Sequence, residues 1–165
     1  MLDATRYAAP EALDLTRYFD GRTDAWGLFQ DRFGTLRRRF TAKIEGGWDG
    51  DSFAMDEAFQ FDDGAVDHRV WRIHPGEDGR FTASTDDVVG TAVGSRNGPV
   101  ISLRYLFKLR AAGRTIVTRF DDRMFLIDND VLLNRAVVTK WGIRIGALTI
   151  VFKRLDGPMA RRSAA

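Results

Sequence analysis

The sequence VISLRYLFKLRAAGRTIVTRFDDRMFL, residues 100–126, decides the fold of this chain. It contains two runs in which apolar and polar side chains alternate, joined by a short turn that contains Gly113. A period of two is typical of a β-strand with one buried face and one solvated face. The apolar face of the second run also carries an acid, Asp122. Because an unpaired buried carboxylate is costly, we expect Asp122 to face a polar partner or a wet cavity.

Eight further runs of the same character surround this hairpin. They are Arg22–Gln30, Thr35–Trp48, Ser52–Phe61, Val66–His74, Arg80–Thr85, Gly90–Ser95, Val131–Lys140 and Ile143–Lys153. Several are separated by Asp-Gly or Asn-Gly pairs, which accept the positive φ angles of tight hairpin turns. The sequence therefore predicts an all-β protein, a single antiparallel up-and-down β-barrel of about ten strands, since closure of the sheet removes its exposed edges.

The barrel domain is predicted to span residues 15–155. A loosely ordered N-terminal leader, residues 1–14, precedes it and can form a short helical turn from Pro10 through Leu15. A flexible tail, residues 156–165, follows it. The segment Thr85–Gly90 is compatible with a helical turn or a bulge. The run Ile143–Lys153 is apolar on both faces, so we expect a helix, the leader or the second subunit of a homodimer to cover it.

Composition excludes several classes of function. The 25 Lys and Arg and 23 Asp and Glu residues are interleaved and give a net charge of +2, which does not predict a nucleic-acid interface. There is no cysteine, so disulfides, thiolate metal sites and a lipid-modified N-terminal cysteine are excluded. No stretch approaches the ~18 apolar residues of a membrane span. We expect a soluble cytoplasmic protein, or a periplasmic one if a signal segment precedes this chain.

Familiar catalytic and metal-binding motifs are not evident. His68 and His74 are six residues apart, which does not fit two ligands on one strand, where a spacing of two is needed. The acid pairs lie at turns without the spacing of a calcium loop, and no serine occupies a nucleophile elbow. We therefore assign no metal site, no cofactor and no catalytic residue.

The inward faces of the predicted strands carry an unusual set of charges. They include Arg38, Glu57, Arg69 and Asp122, together with Arg135, which lies on a run whose two faces are almost equally apolar. Aromatic residues accompany them on these faces: Phe40, Trp71, Tyr105 and Phe120. Either the charges form buried ion pairs, or a spare guanidinium binds the anionic group of a ligand, for which its planar fork is suited.

The sequence also resembles a known family. The motifs that carry the resemblance are Tyr18-Phe-Asp-Gly-Arg22, Ala25-Trp-Gly-Leu-Phe-Gln-Asp-Arg-Phe-Gly34, Arg39-Phe40, Asp63-Gly64, Val70-Trp-Arg-Ile73, Asp86-Asp-Val-Val-Gly90, Phe120-Asp-Asp-Arg-Met-Phe125 and Asn134-Arg135. In this order they are similar to the bacterial DUF3833 family, which has no assigned biochemical function. The resemblance implies a lipocalin-like or calycin-like barrel. Some members carry a lipoprotein signal, whose cysteine this chain lacks.

Three functional hypotheses follow from the inward face. The first is a barrel that binds a small amphipathic ligand, a fatty-acyl or isoprenoid compound with an anionic group. Its predicted contacts are Arg38, Glu57, Arg69, Trp71, Tyr105, Phe120, Asp122 and Arg135, with Glu57 and Asp122 orienting the arginines. The second is a lipid-modifying isomerase, cyclase or hydratase that uses Glu57, Asp122 and Tyr105 for proton transfer. The third is a structural barrel with a filled core.

Overall fold

The computed structural model describes residues 12–111 and 113–155, which form one short helix and ten strands. The elements are α1 Leu15–Tyr18, β1 Gly21–Asp31, β2 Leu36–Asp49, β3 Ser52–Phe61, β4 Val66–Pro75, β5 Arg80–Ser84, β6 Val88–Asn97, β7 Val100–Ala111, β8 Arg114–Leu126, β9 Val131–Lys140 and β10 Ile143–Arg154. The predicted bounds match those of β3 and β9, and the other predicted strands differ by one or two residues at their ends.

The ten strands form a closed antiparallel barrel. Each strand pairs with its neighbours in sequence, and β1 closes the sheet by pairing with β10. The hairpin that decides the fold is β7 and β8, whose register places Tyr105 opposite Phe120. Several hairpin turns place glycine at a positive φ angle, as at Gly50 (φ 63°) and Gly98 (φ 57°), because glycine has no Cβ to clash there. The predicted all-β up-and-down barrel is confirmed.

One end of the barrel is closed by α1 and the residues around it. Asp14 caps the helix by accepting a hydrogen bond from the Thr16 N–H at 3.0 Å. Leu13 and Phe19 are both 1 % exposed, and the Tyr18 hydroxyl donates to the carbonyl of Asp130 at 2.7 Å. The helix begins at Leu15, so the predicted turn from Pro10 through Leu15 is wrong over residues 12–14, and Pro10 lies outside the described residues. A short apolar plug therefore seals this end.

The opposite end is open on the side of β4 to β7. Strand β5 has five residues and pairs with β4 only from Arg72 to Pro75, so the first half of β4 has a strand neighbour on one side alone. The segment between β5 and β6 is a turn, in which the Val88 N–H donates to the Thr85 carbonyl at 3.0 Å. Beyond it the β6–β7 register shifts, so this segment is a turn and bulge, with no helix. The short strand and turn leave a gap in the rim.

The outer surface of β10 remains apolar in this single chain. Ile143 is 58 % exposed and Val151 39 % exposed, and Val151 lies opposite Trp26 of β1, which is also exposed. No described residue range forms a helix over them. The covering homodimer stays a prediction. Among the described residues, no helix is long and apolar enough to cross a lipid bilayer.

Candidate functional site

The barrel encloses a cavity of about 870 Å³ that opens at the gapped rim. This volume lies in the range of small-molecule sites. Its wall is mainly apolar and aromatic, and includes Phe29, Phe40, Phe59, Trp71, Tyr105, Phe107, Phe120, Leu148 and Ile150. Because the interior is not filled by side chains, the hypothesis of a filled-core barrel does not describe this structure.

A stack of aromatic rings forms one side of the cavity. Tyr105 and Phe120 are cross-strand partners on β7 and β8, and their rings stack with centroids 5.3 Å apart at 11°. Trp71 of β4 meets the Tyr105 ring edge-on at 5.4 Å. Across the barrel the Phe40 ring lies directly over Gly27, whose missing side chain leaves room for it. These contacts fix large flat surfaces toward the cavity.

Two arginines stand at the open end. Arg38 pairs with Asp63 at 3.1 Å and stacks on the Phe61 ring, 3.6 Å from the centroid. Arg69 lies 3.5 Å from a carboxylate oxygen of Asp67 and 4.8 Å from the Phe107 ring centroid. In both side chains the Nε–H is buried and has no hydrogen-bond partner among the described residues. Each guanidinium therefore keeps a donor that protein atoms do not satisfy.

Glu57 lies further inside, on β3. It is 7 % exposed and in register with Arg69 of β4, yet the two side chains form no direct ion pair. Burial raises the pKa of Glu57 to about 7, although the charge of Arg69 acts to lower it. Glu57 is thus an interior carboxyl group that can be neutral or ionised near neutral pH.

Asp122 lies on the wall with Tyr105 and Asn134. Its Oδ2 accepts hydrogen bonds from the Tyr105 hydroxyl at 3.2 Å and from Nδ2 of Asn134 at 3.3 Å. Burial raises the pKa of Asp122 to about 7 against the lowering effect of these two hydrogen bonds. Burial and the neighbouring Asp122 also raise the pKa of the Tyr105 phenol. In this group of three, Asp122 and Asn134 are buried, at 5 % and 3 % exposure.

Seven of the eight predicted contacts line the cavity: Arg38, Glu57, Arg69, Trp71, Tyr105, Phe120 and Asp122. The assignment of Arg135 is wrong, because it is exposed on the outer face of β9 while Leu132, Asn134 and Ala136 point inward. The two faces of β9 are almost equally apolar, so only the pairing register selects one.

The alternative of direct ion pairs is not found among the described residues, because neither Glu57 nor Asp122 forms a salt bridge with Arg38 or Arg69. Asp122 is paired with Tyr105 and Asn134, and the arginines pair with aspartates of the rim. Sequence reasoning missed two further residues. Asn134 lies on one of the two β9 faces between which the sequence does not choose, and Asp87, 3.9 Å from both Arg69 and Arg110, lies in the segment Thr85–Gly90, for which the sequence allows a helical turn or a bulge. No local signal in the β9 run indicates Asn134, because the two faces of the run are almost equally apolar.

The family described as "Protein of unknown function (DUF3833)" matches residues 2–154. This chain belongs to the DUF3833 family. No curated protein sequence matches it significantly.

Solved structures share the fold of this DUF3833 protein at low identity. The S-type phycobiliprotein lyase CPES from Guillardia theta superposes with a TM-score of 0.64 at 9 % identity, over 86 % of this chain and 91 % of the lyase. A protein of unknown function from the DUF3598 family of Nostoc punctiforme gives a TM-score of 0.59 at 9 % identity, over 88 % of this chain and 50 % of that one. These likenesses establish a lipocalin-like barrel and leave function to the site itself.

Proposed function

We propose that this DUF3833 protein binds a small amphipathic molecule, of the fatty-acyl or isoprenoid kind, inside its barrel. The apolar body would lie along the aromatic wall and the anionic group would lie at the open end. The cavity of about 870 Å³ carries the proposal, because it joins an apolar interior to a rim that bears Arg38 and Arg69. A cavity of this size with a few polar groups is the usual form of a small-molecule site.

The free guanidinium donors supply the preference for an anion. A carboxylate at the rim would accept from the unpartnered Nε–H groups of Arg38 and Arg69, and a hydrogen bond between charged groups is worth about 1.5–3 kcal/mol net. The rim aspartates Asp63 and Asp67 hold the same guanidiniums through other nitrogens, so they orient the arginines without occupying every donor. A protein named as a phycobiliprotein lyase shares this barrel fold.

The test compares Arg69, which lines the cavity, with Arg135, which is exposed on the outer face of β9. Native mass spectrometry of protein purified without detergent shows whether a ligand is retained, and titration of fatty and isoprenoid acids into the protein gives the dissociation constant from Trp fluorescence. Arg69→Ala should weaken binding about tenfold or more, since it removes a charge-assisted contact. Arg135→Ala removes the same side chain from the outer face and should leave binding unchanged.

Two results would overturn this function. One is that the protein, with native circular dichroism and melting, retains no ligand on purification and binds none of the acids added to it. The other is equal binding by wild type, Arg69→Ala and Arg38→Ala, which would show that the rim arginines do not contact the ligand.

A second candidate is an acid–base isomerase. The observation in its favour is that Asp122, a cavity-lining carboxyl with a pKa of about 7, accepts a hydrogen bond from the Tyr105 phenol at 3.2 Å. A group that titrates near the working pH suits both proton abstraction and proton return. Turnover of an unsaturated or carbonyl-containing acid that disappears in Asp122→Asn would support it. Binding without turnover leaves the binding function.

A further inference from the structure

The polar cluster of Tyr105, Asp122 and Asn134 contains more hydrogen-bond acceptors than its own donors satisfy. Both donors that reach Asp122, the Tyr105 hydroxyl and the Asn134 amide, bond to the same carboxylate oxygen, Oδ2. The other oxygen, Oδ1, is buried and has no hydrogen-bond partner in the part of the chain that the structure describes. The Oδ1 of Asn134 is likewise buried without a hydrogen-bond partner within residues 12–111 and 113–155. Two acceptors on adjacent strands therefore remain unsatisfied at one place on the cavity wall.

The orientation of the Asn134 amide follows from its contact with Asp122. When Asp122 is ionised, a reversed amide would bring its carbonyl oxygen against Oδ2, and two acceptors repel each other. With the amide nitrogen on Oδ2, the carbonyl oxygen of Asn134 is the atom left free. Asp122 is 5 % exposed and Asn134 is 3 % exposed, and both line the cavity. Buried polar atoms are almost always hydrogen-bonded. Two buried acceptor oxygens without a donor, on neighbouring side chains, therefore indicate that a bound molecule supplies the donor.

Glu57 adds a third acceptor to the interior. It lines the same cavity, is 7 % exposed and is close enough to Tyr105 for its charge to act on that phenol. The cations of the cavity lie toward the rim, where Arg38 and Arg69 are held by aspartates. The described cavity thus has guanidinium donors toward its mouth and carboxyl and amide acceptors further inside.

We propose that Asp122 and Asn134 form an inner acceptor site that binds a hydroxyl or N–H group at the far end of the ligand. The inference rests on the proposed binding function and narrows it, because the ligand then carries polar groups at both ends. Its anionic group lies at the rim arginines, and its donor lies at the inner acceptor site. A hydroxyl suits this site in particular, because it can donate to the carboxylate and can accept from the carboxylic acid form.

The test compares ligands that differ in one terminal group. Saturated fatty acids of about ten to fourteen carbons and the ω-hydroxy acids of the same lengths are titrated against wild type by fluorescence or calorimetry, since the cavity volume admits chains of this size. In an apolar pocket without an acceptor, a terminal hydroxyl would weaken binding because it loses its water. With the inner acceptor site, we expect the ω-hydroxy acid of the best length to bind about tenfold more tightly than the plain acid.

Variants show which residues cause the preference. Asp122→Leu and, independently, Asn134→Leu should reverse it in favour of the plain acid, because each replaces an acceptor by an apolar side chain of similar size. Thr118→Val is the matched control on β8. Thr118 is 1 % exposed, its hydroxyl donates to the Phe107 carbonyl at 3.3 Å, and it does not line this cavity. This control should keep the preference of the wild type.

Each outcome decides the proposal. Tighter binding of the ω-hydroxy acid that is reversed by either leucine variant, with native melting, supports the inner acceptor site. Equal binding of the two acids, both weakened by Arg69→Ala, overturns the inner site and retains the binding function. Failure of both acids to bind overturns the binding function and the inner site with it.

Discussion

Replacement of Asp122 by Asn should make folding stability less dependent on pH. The side chain is 5 % exposed, and burial raises the pKa of its carboxyl from 3.8 to about 7 in the folded protein. Below pH 3.8 the carboxyl is protonated in both the folded and the unfolded states and adds no pH dependence. Between 3.8 and about 7 the unfolded chain releases the proton and the folded chain keeps it, so the free energy of unfolding falls as pH rises. Above pH 7 the loss is complete.

The size of this effect follows from the two pKa values. Each tenfold change in the ionisation constant corresponds to about 1.4 kcal/mol, so a rise from 3.8 to about 7 corresponds to about 4 kcal/mol. Asn is nearly isosteric and has no charge to bury. The difference in unfolding free energy, Asp122→Asn minus wild type, should therefore increase by about 4 kcal/mol between pH 4 and pH 8.

Urea denaturation across this pH range, followed by Trp fluorescence, measures the difference directly. The matched control is Asp121→Asn on the same strand, because Asp121 points outward and pairs with Arg104 at 2.9 Å and Arg119 at 3.2 Å. Its difference from wild type should change by less than about 1 kcal/mol, as expected for exposed ion pairs. A flat difference for Asp122→Asn would refute the reasoning, because it would mean that Asp122 is ionised in the folded barrel over the whole range.

Two further predictions follow from the packing. Trp71 is on the cavity wall, whereas Trp26, Trp48 and Trp141 are 48 %, 54 % and 90 % exposed, so Trp71→Phe should abolish most of the fluorescence change on ligand binding while calorimetry still detects the ligand. Gly46→Ala would place a Cβ against the carbonyl oxygen of Phe19 and should lower the unfolding free energy by about 1–3 kcal/mol, whereas the adjacent Gly47→Ala meets open space. Equal stability of the two alanine variants in urea denaturation would show that Phe19 does not pack against Gly46.

The residues that a strand's own pattern places inside the barrel could be predicted from the sequence. On β7, Leu103, Tyr105 and Phe107 face the interior as their alternation indicates. The same local rule placed Glu57 and Asp122 inside, because each interrupts an apolar face without changing its period. It failed on β9, where both faces are apolar and Asn134 and Arg135 are neighbours. There the register with β8 decides which of them points inward.

What the sequence by itself determined is the all-β barrel, since alternation with a period of two and Asp-Gly or Asn-Gly turns are local properties of the chain. Only the tertiary structure decided that Asp122 meets Tyr105 and Asn134 instead of an arginine, and that the short β5 leaves the rim open beside Arg69. Those relations join side chains of different strands. They depend on strand register and on the closure of β1 with β10, and neither is encoded in any one run of residues.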